Sequence, residues 1–296
     1  MQVLRELFTT WEWRPEVLAL PLLLGILYLR GWRRLAQIER QRRRSLATPW
    51  RLLAYFSGLA ILLTALLSGL DSFGALLFSV HMIQHLLIMM VAAPLIWLGD
   101  PYPFLLWGLP RRPRQRVAAF LAQPSPFRRG LTQITHPFLA WLFLVAAVWV
   151  WHDPFLYDLT LRSAWVHDLE HLHFFAAAMI FSWHVTAAAP RFHRPLSYLK
   201  RAGYVLAALP PTMILGVALS FASAPWYQHY VAVPRVWGVT VMADQMYGGV
   251  LMWVGGSMMY LLAALILAAR HLAAEERRRG AAAAVQLRLR WQEQQG

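Results

Sequence analysis

The chain has 296 residues, of which 58% are hydrophobic and only 14% charged, with a net charge of +14 and no cysteine. This balance excludes an ordinary soluble domain of such length and points to bilayer-crossing segments, each needing about 20 mostly apolar residues. Without cysteine, disulfides and thiolate metal sites are excluded as well.

Seven apolar runs predict an all-α, polytopic membrane protein with seven transmembrane helices. The first, 17–29, is flanked by Trp13 and Trp32, residues suited to the membrane interface. It follows "MQVLRELFTTWEWRPE", which lacks the basic region, short apolar core and cleavage site of a leader, so the run is expected to remain as an anchor. The second and third runs are 52–70 and 75–98. The 99–136 connection alternates apolar and basic patches between prolines and predicts short helices lying against anionic headgroups. The fourth and fifth runs are 138–151 and 165–188. The sixth, 204–222, contains Pro210 and Pro211, which remove backbone donors and predict a kink. The seventh, 246–269, carries Gly248, Gly249, Gly255 and Gly256, small residues that let a neighbouring helix approach closely. One membrane domain over 1–271 is thus expected, followed by a basic, solvated or surface-lying tail at 272–296.

Of the 28 Arg and Lys residues, 24 fall within 30–51, 111–129, 191–201 and 270–290. The other connections hold only Arg5, Arg14, Arg162 and Arg235. By the positive-inside rule this places the N-terminus outside and the C-terminus in the cytoplasm, with 99–136 a cytoplasmic loop. The charge orients the chain in a lipid bilayer. No nucleic acid partner is expected, because no aromatic-interleaved or groove-reading motif accompanies the arginines.

That topology makes the histidines informative. In "HMIQHLLIMM", His81 and His85 lie one turn apart on one face in the outer half of the third span, with Met89 one turn deeper. "WHDP" sets His152 at the outer end of the fourth span, and "VHDLEHLHFF" opens the fifth with His167 and His171 at the same spacing of four. Met242, Asp244, Gln245 and Met246 reach the same level at the start of the seventh. His136, His193 and His271 flank inner ends, His173 and His184 share another face of the fifth helix, and His229 sits in an outer loop. A single histidine in a span most often packs or hydrogen-bonds within the bundle. Two pairs and a fifth histidine at one depth favour a metal site instead.

Imidazoles with thioethers, no thiolate and few carboxylates suit copper, particularly Cu(I), better than Mg²⁺ or Ca²⁺. The expected ligands are His81, His85, His152, His167 and His171. Met89, Met242 and Met246 are further candidates, and Asp168, Glu170, Asp244 and Gln245 stand where they can ligate or orient the imidazoles. A shallow outward site fits delivery or storage. Three rivals remain open. Histidines on separate helices, such as His85 and His171, can ligate haem in a membrane cytochrome. "HDLEH" matches the H-x-x-E-H pattern of a zinc metalloprotease, with His167 and His171 on the metal and Glu170 as general base. A proton or solute path is the third, but it calls for charges deeper in the spans, where almost none occur.

The segments "FSVHMIQHLLIMMVAAPLIWLGDP", "WVWHDPFLYDLTLRSAWVHDLEHLHFF" and "ADQMYGGVLMWVGGSMMYLLAAL" together resemble the multi-span CtaG family of cytochrome c oxidase assembly factors. This is not the cysteine-dependent single-span copper chaperone of the same name. The likeness runs in order over about 52–269. It implies a non-catalytic, seven-helix protein of the bacterial plasma membrane, needed to mature a haem-copper oxidase by helping copper reach the catalytic subunit. A periplasmic or extracellular copper carrier would be a second partner. The family pattern falls on His81, His85, His152, His167, Glu170, His171, Asp244, Gln245, Gly248 and Gly249.

Overall fold

A computed structural model describes residues 10–39, 46–122 and 125–295. Arg5, Arg40, Arg42, Arg43 and Arg44, which contribute to the charge asymmetry, lie outside the described residues. Seven principal helices follow in order: α1 (Pro15–Glu39), α2 (Pro49–Leu67), α3 (Phe78–Leu98), α4 (Pro137–Trp151), α5 (Ala164–Thr186), α6 (Tyr198–Ser220) and α7 (Val241–Ala284). Short helices join them. Among the described residues the regular structure is all helix, apart from one isolated bridge between Trp11 and Ser68.

Five helices, α1, α2, α3, α6 and α7, are long and apolar enough to cross a membrane. A sixth span results if Pro126–Ile134 and α4, which meet at 53°, are taken together. The expected count of seven also needs α5. That helix is 23 residues long, but its first half carries His167, Asp168, Glu170, His171 and His173. The helix that falls short as a candidate span is therefore the one richest in histidine.

The core joins α3 to α7 through Phe78, Leu144, Phe174, Phe181, Leu215 and Tyr260, all buried. A second cluster secures α1 and α2, where the Tyr28 and Tyr55 rings stack at 3.8 Å and the Tyr28 hydroxyl donates to the Gly99 carbonyl oxygen at 2.8 Å. Outward faces stay apolar: Leu22, Ile26, Leu142, Leu261 and Leu265 are exposed. Contiguous exposed apolar surface of this kind is what lipid contact requires and water penalises.

Three short helices, Pro101–Gly108, Arg111–Ala122 and Pro126–Ile134, occupy the 99–136 connection. Arg34 fastens the first of them to α1 by donating to the carbonyl oxygens of Trp107 (3.0 Å) and Leu109 (3.2 Å). The break in α6 falls at Ala208, so Pro210 and Pro211 sit in the first turn of the second segment, where missing donors are tolerated. Beyond Ala284 the helix of α7 runs on to Glu293, through most of the 272–296 stretch. Both α3 and α7 contain a π-helical turn, at Leu87–Ala92 and Leu251–Gly255.

In α7, close helix approach is found at Gly248 and Gly249. A Cβ on Gly248 would lie 2.2 Å from the Phe78 ring, and one on Gly249 would lie 2.7 Å from the Gly216 carbonyl oxygen. A Cβ on Gly256 would meet nothing within 4 Å, and one on Gly255 only an ordinary contact with Leu86. Gly249→Leu is expected to cost on the order of 3 kcal/mol by overpacking backbone against backbone. It should lower the thermal midpoint in detergent, while Gly256→Ala should hold or raise it.

Candidate metal centre

The site is assembled by helix ends. α3 has no cap of its own, since Leu77 precedes it. Asp244, one turn into α7, supplies the cap from across the bundle. Its carboxylate accepts from Phe78 N (2.7 Å), Ser79 N (3.0 Å) and Ser79 Oγ (2.6 Å). His81 follows immediately. On the other side, "WHDP" ends α4 and starts a new helix. Asp153 accepts from Phe155 N (3.1 Å) and Leu156 N (3.2 Å), opening the short helix Pro154–Arg162, which carries Tyr157. α5 then begins, with His167, Glu170 and His171 in its first turns.

His81, His167, Glu170 and His171 each offer a ligand atom, and these four atoms lie within 4.8 Å of one another. His81 Nε2 is 3.4 Å from His167 Nε2 and 3.7 Å from Glu170 Oε2. Tetrahedral coordination with bonds of ~2.0–2.1 Å needs ligand atoms about 3.4 Å apart. Small adjustments therefore suffice to enclose one ion. Glu170 is fully buried, and neither carboxylate oxygen has a hydrogen-bond partner. An unpaired buried carboxylate is costly unless it is neutralised by a proton or a cation.

Hydrogen bonding orients His81 for this role. The Tyr230 hydroxyl lies 2.8 Å from the Gly74 carbonyl oxygen, which can only accept. Tyr230 therefore donates there and accepts from Tyr157, 3.1 Å away. The Tyr157 oxygen is then left to accept from His81 Nδ1 at 2.7 Å. With the proton on Nδ1, the Nε2 lone pair faces Glu170. Loss of such an orienting partner typically weakens metal binding 10- to 100-fold. Tyr157→Phe is expected to do so in a competition titration while leaving the protein folded.

His85 and His152 adjoin the four-atom group. His85 Nε2 is 3.8 Å from Glu170 Oε1, and neither ring nitrogen of His85 is hydrogen-bonded. His152 stands farther off, its ring 6.4 Å from that of His85 and its Nε2 3.4 Å from Met82 Sδ.

Other expected residues are placed elsewhere. Asp168 pairs with Arg14 and orients no imidazole by hydrogen bond. Asp244 is spent on capping α3. Gln245 accepts from Trp226 N at 2.7 Å and donates to the Leu219 carbonyl oxygen at 3.3 Å, tying down the segment before α7. Met246 is 41% exposed and Met242 half-buried, whereas Met89 is buried and lines a cavity beside His85. Asp71 is the carboxylate that faces the His167 ring at Nδ1. Its Oδ1 accepts from Gln84 Nε2 at 2.7 Å and lies 4.0 Å from His167 Nδ1. Burial pushes the Asp71 carboxyl above its ordinary pKa, and the facing His167 opposes this. Asp71 was legible only as the one acid just before the third run.

Histidines at the opposite end have protein partners. His184 Nε2 donates to the Thr135 carbonyl oxygen at 2.8 Å, and His193 Nε2 lies 3.1 Å from the Thr135 hydroxyl. The clustered rings lie close together. They pack against one another with centroids 4.2 Å (His167, His171), 4.3 Å (His81, His85) and 5.2 Å (His81, His167) apart. A protease needs its general base reachable by a peptide, and Glu170 is buried among these rings.

The family described as cytochrome c oxidase caa3 assembly factor matches residues 26–274, a stretch that includes every residue of this cluster. The chain belongs to that family. An uncharacterized protein of Mycobacterium leprae is 29% identical over 259 residues, covering 83% of the chain. Uncharacterized proteins of Mycobacterium bovis and Mycobacterium tuberculosis are each 30% identical over 255 residues, covering 84%. The chain spans 37% of the length of these relatives. No solved structure matches. The cluster is where this member of the family concentrates its buried chemistry.

Proposed function

We propose that the chain is a seven-span plasma-membrane assembly factor that holds copper on its outer side and passes it to the catalytic subunit of a haem-copper oxidase. In this reading α4 and α5 complete the seven spans, the N-terminus is outside and the basic connections face the cytoplasm. The cluster then opens toward the side from which a periplasmic or extracellular carrier would bring the ion. One observation carries the proposal: Glu170, buried and without a hydrogen-bond partner, faces three imidazoles whose ligand atoms share a sphere of 4.8 Å with it. A cation offsets the carboxylate charge there. Copper follows from the imidazole-rich, thiolate-free donor set together with the oxidase client. Because three of the donors are neutral, the ion carries little excess charge into a low-dielectric setting.

The proposal is tested in membranes of cells whose only copy carries His81→Ala with His171→Ala. The oxidase should retain its haem spectrum but lose copper and activity, at unchanged abundance of the assembly factor. His193→Ala, at the other end of the bundle, should leave both intact. Full copper content in the oxidase of the double variant would refute the reading.

A further inference from the structure

On the far side of His85 from Glu170 lies a cavity of about 50 Å³ whose walls include Met82, His85, Met89, Met90, His152 and Met252. One water-sized occupant needs roughly 10–15 Å³, so an ion fits. Methionines commonly fill irregular gaps in helical cores, and a lining of thioethers alone would mean no more than that. Three further observations say otherwise.

The first is the tautomer of His152. Its Nδ1 lies 2.7 Å from the Val148 carbonyl oxygen, which can only accept, so Nδ1 carries the proton. Nε2 of the neutral ring is then a lone pair, and it faces Met82 Sδ at 3.4 Å. A thioether has no proton to give. Two buried lone pairs thus meet with no donor between them, an arrangement that a soft cation bound to both would relieve.

The second is His85, only 4% exposed and unpartnered at both ring nitrogens. It borders the cavity and also stands 3.8 Å from Glu170, so it is common to the cavity and the carboxylate cluster. The third is the backbone. Met89 and Met90 ride on the π-helical turn of α3, and Met252 rides on that of α7. π turns re-aim side chains at a cost in regular hydrogen bonding and recur at functional sites. Here both π turns direct methionines to one space.

We infer that this cavity is a second, softer site for Cu(I), with His152 Nε2 and Met82 Sδ as ligands and His85 as the group shared with the neighbouring cluster. The inference rests on the copper reading of that cluster and deepens it. Imidazole with thioether selects Cu(I), whereas three imidazoles and a carboxylate also suit Cu(II) and Zn²⁺. An ion moves between the two by exchange of ligands at His85, without any change of oxidation state. The thioether cavity thus sorts the cargo by softness after a less selective outer capture.

The test is X-ray absorption at the copper edge on the full chain in detergent, loaded anaerobically with excess Cu(I). A sulfur scattering shell is expected beside the nitrogen shell. Met82→Leu, which keeps the side-chain volume, should lose that shell together with part of the bound copper and retain the nitrogen-bound remainder. Should the variant fail to accumulate, selenomethionine labelling of the unaltered chain reads the same contact, since a thioether ligand gives copper–selenium scattering. Copper bound through nitrogen and oxygen alone overturns the second site and leaves the outer cluster standing. A sulfur shell that persists in Met82→Leu overturns the assignment of Met82. Absence of bound copper altogether overturns both readings.

Discussion

Glu170→Gln is expected to weaken copper binding by roughly 100-fold or more, beyond the loss typical of an orienting partner, while leaving the metal-free protein as stable as before or more stable. The two effects have one cause. Without a metal, neither oxygen of the buried carboxylate is hydrogen-bonded, so its charge is a liability that the amide removes. With the metal, the charge is the only anionic ligand in the four-atom group. Function and stability therefore move in opposite directions at this residue, as they do where a site keeps a group the fold would not choose. A purely structural Glu170 would show the reverse, with a lower thermal midpoint in the variant and unchanged binding. Thermal unfolding in detergent and competition against a copper chelator measure both on one preparation.

The second large effect is expected at Asp244, and it is of the opposite kind. Asp244→Ala removes the acceptor of three hydrogen bonds to Phe78 and Ser79 and leaves two backbone N–H groups at the start of α3 without their cap. Bonds to a charged acceptor contribute about 1.5–3 kcal/mol each, and a lost N-cap costs about 1 kcal/mol. A loss on the order of 3 kcal/mol is expected, enough to deplete the folded protein in the membrane several-fold. Copper bound per folded chain should hold, since Asp244 touches no imidazole of the cluster by hydrogen bond. Quantitative immunoblotting of membranes, with copper normalised to protein, separates this outcome from that of Glu170→Gln.

These two residues also show where sequence reading succeeds and where it stops. Spacing of four placed His81 with His85 and His167 with His171, because a helix repeats every 3.6 residues and such pairs must share a face. Apolar runs located the principal helices to within a few residues, although α1 and α7 extend well past the runs that announced them. What local pattern does not encode is contact between distant segments. Asp244 stood at the right depth, yet its partner is the end of α3, 165 residues earlier in the chain, and only the folded bundle reveals a cap supplied in trans. Tyr157 meets His81 across 76 positions, and Met82 meets His152 across 70. Met82 lies about 100° around the helix from His81, and His152 at the end of α4 meets that face. Arg14 claimed Asp168, which left Asp71 to face His167.

The measurement that bears most directly on the central claim is the copper content of the detergent-purified chain after anaerobic Cu(I) loading and removal of excess. The unaltered chain should retain copper near stoichiometrically. The His81→Ala/His171→Ala variant, folded and of equal yield, should retain only background at the cluster. A chain that keeps no copper, or a double variant that keeps all of it, would contradict the account.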